Sequence, residues 1–277
     1  MKVRNYSILN NIIGKGENSE VVLAAKEGNL MFNVCKIYKR KEIEGKQIYK
    51  SLGHEINILE TLNDQNVIKL LDILKTKNNF YVIYEYCNGG NLFEILEKYQ
   101  EKKGKPFPEE IVQHLMKQII HALKYIHGKE LIHGDLKLQS IFINFETEKD
   151  KEDLDMMKAT VKIAHFRKIK KKSNDDLKFI KATFASHHYD FERKNNYQKT
   201  DILDLGILCY QMLLGKNASN SKKIEVILDE LKSENNNSIS LSEEAISFLE
   251  NSMNVISFKR FSIDKLEDHP FLKKQYL

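Results

Sequence analysis

Between Glu109 and His127 the residues Val112, Leu115, Ile119, Leu123 and Ile126 recur every three or four positions, which puts them on one stripe of a long helix that has to be buried. The chain before that helix has a different character. From Tyr6 to Lys36, short runs rich in Ile and Val are broken at Gly14, Gly16 and Gly28-Asn29, the pattern of an antiparallel meander. Leu52, Ile56, Leu59 and Leu62 then recur at helical spacing, so that Glu55 and Leu59 share a face. Strand-like runs at Val67–Leu74 and Phe80–Tyr86 follow. After Asn88-Gly89-Gly90 the pattern is mostly helical, with further helices expected over Ile202–Leu214, Ile224–Leu231, Ser242–Met253 and Ile263–Leu266, the third capped by Ser240 or Ser242. A strand-rich first third followed by a helix-rich remainder is an α+β arrangement of two lobes: a small antiparallel sheet over 1–87 and a larger, mainly helical lobe over 88–277.

Charge and composition exclude several function classes. The net charge of +5 is the remainder of 44 basic and 39 acidic residues, so neither nucleic acid nor a membrane is an expected partner. The local excess at Lys168–Lys172 has no interleaved aromatic residues and reads as a solvated loop. Cys35, Cys87 and Cys209 lie far apart among apolar neighbours with no C-x-x-C spacing, as expected of buried thiols in a reducing compartment. No run of 18 apolar residues and no apolar leader segment occurs, so the expected location is cytoplasmic.

Several segments, in order, resemble the signature set of the eukaryotic protein kinases, from about Tyr6 to Leu272. Ile13-Gly-Lys-Gly-Glu-Asn-Ser-Glu-Val21 is similar to the glycine-rich loop. Asn33-Val-Cys-Lys36 resembles the lysine strand, Glu55 its helix partner, and Glu85-Tyr-Cys-Asn-Gly-Gly90 the hinge. His133-Gly-Asp-Leu-Lys-Leu-Gln-Ser140 resembles the catalytic loop, Lys162-Ile-Ala-His-Phe-Arg167 the metal-binding motif, and Thr200-Asp-Ile-Leu-Asp-Leu-Gly206 the anchoring helix. Lys259-Arg-Phe-Ser-Ile-Asp and His269-Pro-Phe-Leu are similar to the family's last helices. The hinge wording, the insert after Phe142 and the closing His-Pro-Phe most resemble calcium- and calmodulin-dependent serine/threonine kinases. No D-x-[DN]-x-[DN]-G loop is present, so calcium regulation within the chain is not expected.

The resemblance implies a phosphoryl-transfer site, and this sequence departs from it position by position. His165 stands where the family has its metal-chelating Asp, and Ser140 where it has the Asn that helps hold the second ion. Magnesium wants hard oxygen ligands, for which a neutral imidazole is a poor substitute. Arg167 replaces the glycine of the same motif, and Gly134 the Arg that receives an activating phosphate. Ser186-His-His-Tyr-Asp190 stands in place of Ala-Pro-Glu, leaving Asp190 as an expected partner of Arg260. Val34 and Phe142 enlarge the roof and floor of the adenine slot, while Tyr84 is large at its back. Ser19 replaces the third glycine of the loop, and Glu17 adds a negative charge beside it.

Retained are Gly14, Gly16, Lys36, Glu55, Asp135 and Lys137, with Phe166, His133, Leu59 and Asp201 matching the family's internal spine and its anchor. Together these departures imply a catalytically inactive, degenerate kinase-like domain with no metal and no cofactor. ATP held without metal is an alternative, as is a weakly active or atypical serine/threonine kinase. The expected role is that of a scaffold or assembly subunit binding protein partners in a larger assembly. Candidate contact surfaces are Lys168–Lys172, the charged insert Glu146–Lys158, read as an exposed loop, and Lys216–Asn237.

Overall fold

Residues that alternate between two faces can bury both only if a sheet curls, and the first third of the chain does this. The structure is a computed structural model that describes residues 1–277 apart from Glu17, Leu30, 167–169, 172–197, 216–223, 233–240 and Leu277. Strands β1 (Lys2–Val3), β2 (Tyr6–Gly16), β3 (Ser19–Lys26), β4 (Phe32–Lys39), β5 (Leu70–Lys75) and β6 (Asn79–Glu85) form one antiparallel sheet in the order β1-β2-β3-β4-β6-β5. Ile8, Val22, Ala24, Cys35, Tyr81 and Ile83 on one face enclose a core of their own. The other face turns Val34, Tyr38, Phe80, Val82 and Tyr84 toward the main core. Between the strands lie α1 (Arg40–Ile43) and α2 (Gln47–Leu59), the latter burying Leu52, Glu55 and Leu59 as one stripe.

The second lobe is built on α4 (Glu109–Gly128). Its expected stripe Val112, Leu115, Ile119, Leu123 and Ile126 has no exposed surface. A helix not foreseen, α3 (Leu92–Lys103), precedes it, capped by Asn91, whose side chain accepts from the Glu94 N–H at 3.1 Å, and closed by Gly104 at φ +69°. Short strands also interrupt the helices. β7 (Gly90–Asn91), β9 (Ile141–Phe145) and β10 (Ala159–Ile163) form a three-stranded sheet, and β8 (Leu131–Ile132) pairs with β11 (Lys170–Lys171). The insert Glu146–Lys158 is largely exposed, as expected, but is not a loop throughout. It folds into α5 (Glu148–Asp153), where the buried Asp150 carboxylate accepts from Thr147 Oγ1 at 2.6 Å and Lys158 Nζ at 2.9 Å, over a buried Met156. Of the lysine run, Lys170 and Lys171 form β11 and the rest lies outside the described residues. Of Lys216–Asn237, the helix at Ile224–Lys232 is described.

Among the described residues the further α-helices are α6 (Gln198–Leu214), α7 (Ile224–Lys232), α8 (Glu243–Met253), α9 (Ile263–Glu267) and α10 (Pro270–Lys273). Ser242 is the N-cap of α8, as the sequence allowed. The loop after α2 sews the lobes together. Ile163 donates its N–H to Asn66 O at 2.7 Å and accepts from Ile68 N at 2.8 Å, and the buried Asn66 amide reaches Gln118 Oε1 on α4 at 3.1 Å and Val161 O at 2.9 Å. Tyr125 Oη, also on α4, accepts from the Asn63 N–H at 2.9 Å.

Helices α6 and α8 meet where Gly206 leaves no room. A Cβ there would lie 2.5 Å from Ser252 Oγ and 2.6 Å from Met253 Cγ. Replacing an interior helical glycine by alanine ordinarily stabilises by about 1 kcal/mol. Here Gly206→Ala is expected to destabilise by about 1–3 kcal/mol through overpacking. Thermal unfolding checks this, and a raised midpoint contradicts it.

Candidate active site

A buried carboxylate organises the catalytic loop. Asp201, at the start of α6 and without exposed surface, accepts from the backbone N–H of His133 at 2.9 Å and of Gly134 at 2.8 Å, and from His127 Nε2 at 2.8 Å. Holding two successive N–H groups on one carboxylate bends the loop sharply, and Gly134 takes φ +72°. The arginine expected from the family would be strained in that conformation; glycine is not.

His133 is fully buried and ties the loop to the strand end below the cleft. Its Nε2 lies 2.9 Å from Ala164 O, a group that only accepts, so the proton sits on Nε2. Its Nδ1 then accepts from the Asp135 N–H at 3.3 Å. Its ring meets Phe166 edge-on at 5.1 Å. Leu59, His133 and Phe166 are all buried, in keeping with the spine inferred from sequence. Burial pushes the His133 imidazole below its ordinary value, against the Asp201 and Asp135 charges. Asp135 itself pairs with Lys137 Nζ at 3.1 Å, with both side chains reaching solvent.

The two positions that match the family's metal ligands look different. Ser140 has no exposed surface, and its hydroxyl donates to Lys137 O at 2.8 Å while accepting from Lys137 N at 2.9 Å. That oxygen closes a backbone turn. His165 sits at φ +66°, a left-handed conformation that costs a non-glycine residue about 1–2 kcal/mol. Its imidazole packs edge-on against Phe142 with centroids 5.6 Å apart. Neither position presents a carboxylate or carboxamide oxygen to the cleft. Among the described residues no cluster of three His, Cys, Asp or Glu side chains is arranged to hold a metal. Arg167, Glu17 and Ser186–Asp190, including the expected Asp190–Arg260 pair, lie outside the described residues. The Arg260 guanidinium donates to Asn254 O at 2.7 Å and Lys199 O at 2.8 Å.

Above the cleft, Val34 and Tyr84 are direct cross-strand partners on β4 and β6 and therefore share the cleft-facing side. The Lys36 ammonium lies over the Tyr84 ring, 4.9 Å from its centroid, a cation–π contact that sequence reasoning did not foresee. Glu55 is buried at 1 % exposure on α2. Gly14 and Gly16 sit in a tight hairpin, Gly14 opposite Val21 and Gly16 opposite Ser19, where a Cβ on Gly16 would meet Ser19 Oγ at 2.4 Å. The hairpin is kept, with Ser19 buried beneath it.

The protein kinase domain model matches residues 7–272, and the chain belongs to the protein kinase family. It is 27 % identical over 282 residues to the serine/threonine-protein kinase TIO of Arabidopsis thaliana, covering 99 % of this chain and 20 % of that protein. Serine/threonine-protein kinase 33 of Bos taurus is 27 % identical over 271 residues, 94 % of this chain and 54 % of that protein. Calcium-dependent protein kinase 5 of Plasmodium falciparum is 26 % identical over 275 residues, 97 % of this chain and 45 % of that protein. The chain thus spans about half or less of the length of these relatives.

Two outcomes follow from the loop geometry. Gly134→Ala, or restoration of arginine there, should destabilise by about 1–2 kcal/mol, because neither relaxes at positive φ; an unchanged melting temperature would contradict this. The folded His133 binds its proton less tightly than the unfolded side chain, whose ordinary value is 6.5. Its contribution to stability is therefore complete above that pH and is lost as pH falls below it. His269 is depressed by burial in the same sense, and its Nδ1 accepts from the Phe271 N–H at 3.2 Å. The midpoint of unfolding should fall steadily from pH 7.5 towards pH 5, and a flat or rising profile contradicts it.

Proposed function

We propose that this protein-kinase domain does not transfer phosphate and acts in the cytoplasm as a scaffold or assembly subunit through protein–protein contacts. The observation that carries the reading is that neither metal position offers a hard oxygen: Ser140 is shut inside a backbone turn and His165 lies against Phe142. Magnesium bound by the kinase fold needs such oxygens to bridge the phosphates. These residues do not fit it. If metal stabilisation of the transition state is worth several kcal/mol, losing it costs on the order of a thousandfold or more in rate. Val34, Tyr84 and Phe142 support the same reading by adding volume around the adenine slot, at roughly 1–3 kcal/mol for each overpacked site. The three free, buried cysteines suit a reducing compartment; burial pushes the Cys35 thiol up to about 12.

A second reading, a weakly active serine/threonine kinase, is favoured by the intact pairing of Asp135 with Lys137 and by the packed His133–Phe166 contact. Thermal unfolding with ATP and magnesium separates the two. A ligand at about one hundred times its dissociation constant adds ~2.7 kcal/mol, and each kcal/mol moves the midpoint by roughly 2–4 °C in a chain of this size. No shift is expected, with or without the metal. A shift without metal would favour a nucleotide-holding module. Phosphate transfer that disappears in Asp135→Asn would establish the second reading. His165→Asp combined with Ser140→Asn should not rescue activity while Val34 and Phe142 remain.

A further inference from the structure

The net charge of the chain conceals a local excess that only the fold assembles. Two basic segments, 39–50 and 75–77, lie apart in sequence and meet at one end of the small lobe. Arg40, at the start of α1, donates its backbone N–H to Asn78 O at 2.8 Å and its Nη1 to Lys77 O at 3.1 Å, which ties α1 to the turn between β5 and β6. The same guanidinium lies 5.5 Å from the centroid of the Phe80 ring, and the Lys75 ammonium 5.4 Å from it. The Tyr49 ring, in the first turn of α2, reaches Phe80 at 5.6 Å. Three pieces of chain thus converge on one buried phenylalanine. The carboxylates of these segments are Glu42 and Glu44, and both are taken, the first by Lys39 at 3.3 Å and the second by Arg40 at 2.6 Å. Lys41, Lys46, Lys50, Lys75 and Lys77 are all exposed and have no carboxylate partner among the described residues. The first turn of α2 has no acidic residue to offset them.

We propose that this face docks the protein on an anionic lipid surface, where Lys41, Lys46, Lys50, Lys75 and Lys77 meet phosphatidylserine-type headgroups. Like charges gathered on one face repel one another, and a negatively charged bilayer relieves that repulsion. The unpaired cations here are all lysines: hydrated point charges on flexible stems, without the rigid fork by which arginine grips a single phosphate or carboxylate. Such an array suits many mobile headgroups better than one partner of fixed geometry. Tyr49 stands among them at 42 % exposure, an aromatic ring with a polar tip of the kind that settles at headgroup level. Among the described residues no helix is long and apolar enough to cross a membrane, so the contact is peripheral and reversible. Whole-chain charge gave no reason to expect a membrane, because the two segments come together only through the Arg40 and Phe80 contacts.

The test is co-sedimentation of the full chain with phosphatidylcholine vesicles that do or do not contain phosphatidylserine. The protein should sediment with the phosphatidylserine vesicles alone, and less of it as salt is raised, because exposed charges are screened. Each lysine near such a surface is worth about fivefold in partition. Lys46→Gln, Lys50→Gln and Lys77→Gln together should therefore weaken binding about a hundredfold. Lys98→Gln, Lys103→Gln and Lys105→Gln, at exposed positions of the second lobe, change the net charge equally and should leave binding almost as it was. Thermal unfolding should show both triple variants folded, since all six side chains are exposed. Failure to sediment with either vesicle, or an equal loss in the two triple variants, overturns the proposal. So does tighter capture by polyglutamate or duplex DNA than by the vesicles, which would make this face a contact for another acidic macromolecule. Because no ATP is added, the result stands apart from whether the cleft binds nucleotide.

Discussion

One buried carboxylate, Asp201, holds the catalytic loop in place. Asp201 has no exposed surface and accepts three N–H donors, two of them from successive residues of the catalytic loop. A charge taken out of water is tolerable only when its acceptor sites are filled. Filling these sites forces the chain to bend at Gly134, orients His133 between Asp135 and Ala164, and so fixes where Asp135, His165 and Phe166 begin. The bend of this loop is held from within the protein by Asp201. Asp201 and His133 match the family, while Gly134, Ser140 and His165 depart from it.

Changed positions among the described residues find partners within the protein. Ser140 is smaller than the asparagine expected there, and its hydroxyl turns inward to close the turn at Lys137. His165 finds an aromatic partner in Phe142, and Lys36 finds one in Tyr84. Each side chain that resembles a ligand-binding one has an interaction within the protein itself. Contacts from Asn66 and Glu85 to β10 join the two lobes directly.

Much of this was legible beforehand, and for physical reasons. The α4 stripe is periodic over about four turns, and the motif order spans almost the whole chain, so the two-lobed α+β fold followed directly. The helix Leu92–Lys103 was missed although Leu92, Ile95, Leu96 and Tyr99 keep helical spacing behind an Asn cap, because its many charged residues mask the stripe. The short strands β9 and β10 were missed because five residues carry too little periodicity to stand out. At the site, residue types were readable and orientations were not. Nothing in a sequence tells which way the Ser140 hydroxyl points, that His165 adopts positive φ, or that the ammonium of Lys36 lies over Tyr84. In the insert the short helix was not foreseen, and Asp150, which looks like a solvated charge, is buried and bonded to Thr147 and Lys158.

We propose that a cleft with an imidazole in place of its chelating carboxylate and a phenylalanine under its adenine slot does not hold magnesium and ATP productively. A crystal structure of this protein grown with both at high concentration tests it most directly. The expected cleft has His165 still packed on Phe142 and no nucleotide between the lobes. An ordered triphosphate with its metal ion, bounded by Lys36, Asp135 and His165, would contradict it.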